Sequence, residues 1–102
     1  MKLFKKRNNK CSFPFADTKN TATMSCIHVT NEGKPILYVS HDKDDGMWQF
    51  LCGGTHDMAD AMVVSLYYIY EKDTSVAEIA DLPYGSIAER ETVGAAWKKR
   101  RR

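Results

Sequence analysis

Two short apolar runs separated by a charged turn constrain this chain more than any other feature. Residues 36–40 (ILYVS) and 47–52 (MWQFLC) are rich in β-branched and aromatic side chains. The link between them, residues 41–46 (HDKDDG), is made of residues that favour turns through local hydrogen bonds and left-handed backbone. The pattern predicts an antiparallel hairpin. Pro35 fits the start of its first strand, where a missing N–H does least harm. Trp48 and Phe50 are two residues apart and so fall on one strand face.

The flanking sequence supplies the other elements. Residues 23–30 (TMSCIHVT) alternate as a strand does, and 31–34 (NEGK) read as a turn. Residues 61–64 (AMVV) suit a short strand, after which Ser65 is placed to cap a helix over 66–72. Tyr67, Tyr68 and Tyr70 surround that helix, so at least one of them is expected at the surface. A second short helix is expected over 75–80, where Ser75 and Glu78 form an S-x-x-E capping box, and Leu82-Pro83 ends it. Residues 86–92 read as an edge strand. The expected fold is α+β, a four- to five-stranded, mostly antiparallel sheet with two short helices on one face. With 102 residues there is room for one core, divided as a basic arm (1–20), a single domain (21–95) and a basic tail (96–102).

Composition narrows the class of molecule. A hydrophobic content of 43% with 11% aromatics suits a folded domain. The most apolar stretch, residues 59–70, is interrupted by Asp60 and Ser65, so no membrane span is expected. Neither an apolar run nor a cleavage site follows the cationic first ten residues, which points to a cytoplasmic protein with no secretory signal. Cys11, Cys26 and Cys52 are odd in number and read as free thiols. The net charge of +2 conceals an uneven distribution: the first ten and last five residues hold ten cations and no acid, and the rest carries five cations against all 13 acids.

The hairpin motif also carries a resemblance. Residues 34–46 (KPILYVSHDKDDG) with 47–50 (MWQF) resemble a widespread, largely uncharacterised family of small bacterial proteins with a PILYVSHD-x-DDG-x-WQF hairpin. The likeness continues through His56, Asp57, Asp60, Ala61, Met62, Val63, Val64, Ser65, Leu66 and Ile69, and then through an ADLP-x-G turn at residues 80–85. That family is similar to domains grouped with bacterial polymorphic-toxin immunity proteins, which implies binding and not catalysis. After the turn the family has two tryptophans flanking a small residue. This chain has Ser86 and Glu89 there, while keeping Arg90 and Trp97.

Several constellations have chemical potential. His41, Asp42, Asp44 and Asp45 offer oxygen ligands in one turn, but Gly46 comes one position early for an EF-hand and no glutamate closes the loop. Cys26, His28, Cys52 and His56 are zinc-type ligands, yet C-x-H with C-x3-H is not a usual structural spacing, and the cysteines read as small buried hydrophobes. No metal or cofactor is expected. Cys52 could meet His41 or His56, but no orienting third group identifies a nucleophile, and Gly53-Gly54 lacks the lysine of a phosphate loop. An enzyme is therefore the third reading.

The leading expectation is a non-enzymatic protein-binding module. Its acidic loops, 41–45 and 55–60, would meet a basic protein partner, in the immunity-like case a toxin, through His41, Asp42, Asp44, Asp45, Trp48, His56, Asp57 and Asp60. Ordinary solubility accounts for the same acids. The alternative is a nucleic-acid-associated protein gripping phosphates with Lys5, Lys6, Arg7, Lys98, Lys99, Arg100, Arg101 and Arg102, with Phe4 and Trp97 available for stacking.

Overall fold

The hairpin organises the sheet. In the computed structural model, which describes residues 13–54 and 57–102, β2 (Tyr38–His41) and β3 (Trp48–Leu51) pair antiparallel, with His41 opposite Trp48 and Val39 opposite Phe50. The turn closes through Asp42 N–H to Met47 O at 2.8 Å and Gly46 N–H to Asp42 O at 3.0 Å. Gly46 has φ +73°, a conformation in which a side chain would be strained.

Around this hairpin lie β1 (Ala22–Cys26), β4 (Ala61–Ser65), β5 (Ser86–Glu89) and β6 (Lys98–Arg101), in the order β4-β1-β3-β2-β5-β6. The pairings are antiparallel except for β1 with β3, which is parallel and in register at Met24 and Gln49. The helical elements are α1 (Ile27–Thr30), α2 (Leu66–Lys72) and two 3-10 helices, Met58–Asp60 and Thr74–Ile79. The fold is α+β with a mostly antiparallel sheet, as the sequence predicts, but among the described residues that sheet has six strands, and one of its pairings is parallel.

Three differences from the sequence reading have identifiable physical causes. The strand expected over 23–30 ends at Cys26, where Ile27–Thr30 coils into one turn closed by Asn31 N–H to Ile27 O at 2.8 Å. So short a helix buries one residue, Val29, and leaves the period-two alternation of the sequence intact. The second helix is 3-10, and its cap is Asp73 instead of Ser75. The Asp73 carboxylate accepts both the Ser75 N–H at 3.0 Å and the Ser75 hydroxyl at 2.6 Å, a stronger acceptor than a serine oxygen. Finally, β5 is not an edge: it pairs β2 on one side and β6 on the other, and the basic run Lys98–Arg101 is itself the edge strand.

Residues opposite one another across strands share a face, so Val39, Phe50 and Ala88 line one side of the sheet together with His41, Trp48 and Ser86. Against that side pack Leu66 and Ile69 of α2, Val76 and Ile79 of the second 3-10 helix, and Phe15. Fully burying such a side chain stabilises by about 1.5–3 kcal/mol. Ser65 caps α2 as expected, its hydroxyl oxygen accepting the Tyr68 N–H at 3.0 Å. Phe15 meets Trp48 edge-on at 5.1 Å, so core packing begins ahead of residue 21. Among the described residues, no helix is long and apolar enough to cross a membrane.

Candidate functional site

The turn joining β2 to β3 is a hydrogen-bonded tip with two kinds of residue. Asp42 points back onto the sheet. Its carboxylate accepts from the Ser40 hydroxyl at 3.0 Å and the Gln49 amide at 2.7 Å, and pairs with Arg102 at 3.3 Å. Asp44 and Asp45 are exposed, and the Asp45 side chain also receives the Met47 N–H at 2.9 Å. Asp42 and Asp45 therefore hold the turn in one shape.

His41 and Trp48 are drawn inward. Trp48 is 1% exposed and His41 8%. Their rings stack at 3.8 Å, Trp48 Nε1 donates to Asp17 at 3.3 Å, and His41 Nδ1 donates to the carbonyl of Leu82 at 2.7 Å. Neither side chain can meet a partner on this surface, because each fills core space beneath the tip. His41 instead fastens the residue 80–85 turn to the hairpin, an attachment repeated by Gly85 N–H to His41 O at 2.7 Å. This brings Tyr84, 64% exposed, alongside Gly46 and the His41 ring.

The two acidic loops do not form one surface. β1 and β3 run the same way, and Cys26 at the end of β1 is opposite Ala61 at the start of β4. Asp57 and Asp60 therefore lie at the end of the sheet away from Asp44 and Asp45. There Asp60 is engaged locally, accepting the Asp57 N–H at 3.0 Å, while Asp57 is exposed. His56 lies outside the described residues, as do Lys5, Lys6 and Arg7.

The C-terminal cations come to the tip instead. Arg101 and Arg102 line a cleft there with Asp42, Asp44, Asp45 and Tyr84. Across β6, Lys99 pairs with Asp81 at 3.8 Å and Arg100 with Glu89 at 3.0 Å. Acids thus compete with phosphates for Lys99, Arg100 and Arg102. The sequence does not announce this neighbourhood, because it depends on the pairing of Ser86 with Arg101, a contact no local turn specifies.

A second cluster occupies the other end of the sheet. One ligand atom each from Cys26, His28 and Cys52 lies within 4.8 Å of the others. Cys26 is buried, and His28 and Cys52 are half-buried. Burial pushes the Cys26 thiol up, and Cys52 beside it acts in the same direction. Backbone hydrogen bonds from Val29 and Cys52 act the other way.

Searches against protein-family models, curated proteins and solved structures return no match to this chain.

Proposed function

We propose that this chain is a non-enzymatic protein-binding module whose contact surface is the hairpin tip, and that its partner is a basic protein. One observation carries the reading: Asp44 and Asp45 are exposed, and among the described residues no cation pairs with either, on a turn shaped by the hydrogen bonds of Asp42 and Asp45 beside the exposed ring of Tyr84. Preorganised charge speeds encounter with a partner of opposite sign, and a fixed tyrosine supplies contact area at small entropic cost. The contact set is thus Asp44, Asp45 and Tyr84, with Arg101 and Arg102 on the rim. The resemblance to immunity-type domains favours a specific form of this role, the neutralisation of a basic toxin.

The test has two steps. The full chain and a form lacking residues 1–12 are used to capture partners from host lysate treated with nuclease, and the protein retained by both is purified. Its association rate is then measured with Asp44→Lys/Asp45→Lys and Tyr84→Ala variants at low and physiological salt. The expected result is an association rate lowered about tenfold or more by charge reversal, with a reduced dependence on salt. Binding that is unchanged and insensitive to salt defeats the proposal. Recovery that disappears with nuclease transfers the function to nucleic acid.

A further inference from the structure

We propose that Cys26, His28 and Cys52 form a binding site for a thiolate-preferring divalent metal, zinc in the reduced protein. Parallel pairing creates the cluster: β1 and β3 leave the sheet at the same end, so Cys26, with His28 in the helical turn after it, meets Cys52 just past β3. Two sulfurs and an imidazole suit zinc and disfavour the hard cations calcium and magnesium.

The dimensions fit. Zinc–sulfur bonds of about 2.3 Å in tetrahedral geometry place two sulfurs ~3.8 Å apart. The three donor atoms, all within 4.8 Å of one another, need to close by about 1.3 Å or less, a shift within reach of side-chain rotation. Both sulfurs already receive backbone N–H groups: Cys52 from Gly54 at 3.4 Å, and Cys26 from Val29 and Cys52. Such donors disperse thiolate charge once a metal is held. His28 and Cys52 also line a shallow pocket with Leu37 and Gly54, an access route for the ion and for a fourth ligand.

The chemistry balances without a redox partner. Two thiols each release a proton to solvent as two sulfur–zinc bonds form, the imidazole donates a lone pair, and two thiolates neutralise the dication. A role as small core hydrophobes explains the buried Cys26. It does not explain why the half-buried Cys52 and His28 converge on it. The bound ion would clamp β1 to β3, which pair at Met24 and Gln49 and through the Ser25 hydroxyl to the Phe50 carbonyl at 2.8 Å.

The experiment uses the full chain, purified without a histidine tag under reducing conditions, and measures metal content by mass spectrometry. The metal-free, reduced chain is then titrated with cobalt(II) as a spectroscopic probe. The expected results are about one zinc per chain as purified, a thiolate-to-cobalt charge-transfer band, and d–d bands of tetrahedral intensity. Cys52→Ser and His28→Ala should each weaken cobalt binding by about 100-fold or more, since even an outer-shell partner is worth ~10–100-fold. Cys11→Ser should leave it unchanged. Circular dichroism checks that the variants fold, and the metal content of the unaltered chain requires no variant. The proposal is overturned if neither stoichiometric zinc nor a charge-transfer band is found, or if the band survives both substitutions. It is also overturned if the reduced chain ignores metal and simply oxidises to a Cys26–Cys52 disulfide.

Discussion

Replacing Arg90 with alanine should be among the most destabilising single substitutions in this domain. Its side chain is 1% exposed and its guanidinium joins four parts of the chain. Nε and Nη2 donate to the carbonyl of Ile36 at 3.1 and 2.9 Å, Nη1 donates to the Ser75 hydroxyl at 2.8 Å, and Nη2 pairs with Asp73 at 2.7 Å. The plane also lies 4.2 Å from the centre of the Trp97 ring. Removing one member of a buried pair costs about 3–5 kcal/mol, because the other charge is left uncompensated. Here Asp73 is the charge left behind, and it also caps the second 3-10 helix. Against a typical total of about 5–15 kcal/mol, this takes a large share of the stability. It corresponds to a lowering of the melting temperature by roughly 12–40 °C at ~4–8 °C per kcal/mol. Urea denaturation followed by circular dichroism measures the loss. Arg90→Lys keeps the charge but not the planar fork, so it should fall between wild type and alanine. Adding Asp73→Ala should recover part of the loss, since the stranded carboxylate is then absent. An Arg90→Ala protein within about 1 kcal/mol of wild type would refute the reasoning, as would a double variant whose two costs simply add.

Two further expectations concern the ends of the sheet. Deleting residues 98–102 strips β6 from β5; at about 1 kcal/mol per ladder bond it should lower urea stability by roughly 2–4 kcal/mol, whereas Arg102→Ala, which removes one exposed ion pair, should cost about 1 kcal/mol or less. An unchanged midpoint after the deletion would mean that β6 adds nothing to the fold. In the reduced, metal-free chain, burial holds the proton on Cys26 more tightly than in the unfolded state, whose thiol ionises near the usual ~8.5. Above that pH the unfolded state binds fewer protons, so stability should fall as pH rises through the folded-state value; denaturation midpoints of wild type and Cys26→Ala across the alkaline range check this, and equal slopes would count against it.

Local chemistry carried much of the fold into the sequence. The hairpin of β2 and β3, the short β4 and the Ser65 cap of α2 are each specified within a few residues, by period-two patterning, turn composition or a hydroxyl one position ahead of a helix. Tyr67 and Tyr68 are exposed and Tyr70 is half-buried, as a helix encircled by tyrosines requires. What stayed hidden depends on partners far away in the chain. A run of lysines and arginines has little tendency to form a strand alone, and β6 exists because β5 offers a free backbone edge and Glu89 an opposite charge for Arg100. Asp73 displaced Ser75 as a cap partly because Arg90 holds that carboxylate in place, a contact across 17 residues.

The same division explains the candidate sites. Asp44 and Asp45 could be placed at an exposed tip from the sequence because acidic turn residues are solvated wherever the hairpin lies. Trp48 could not be both strand-mate of Phe50 in the core and a contact residue at the surface, and burial of the shared face decided between the two, taking His41 with it. Adding Asp57 and Asp60 to the tip would have required a topology that returns the following loop to the same end of the sheet. The parallel pairing of β1 with β3 sends it to the opposite end, and that same pairing gathers Cys26, His28 and Cys52. Spacing along the chain argued against a metal because it measures only local geometry. A set of ligands assembled across two strands is limited by their register, so the test of such a site lies in strand pairing and not in a motif.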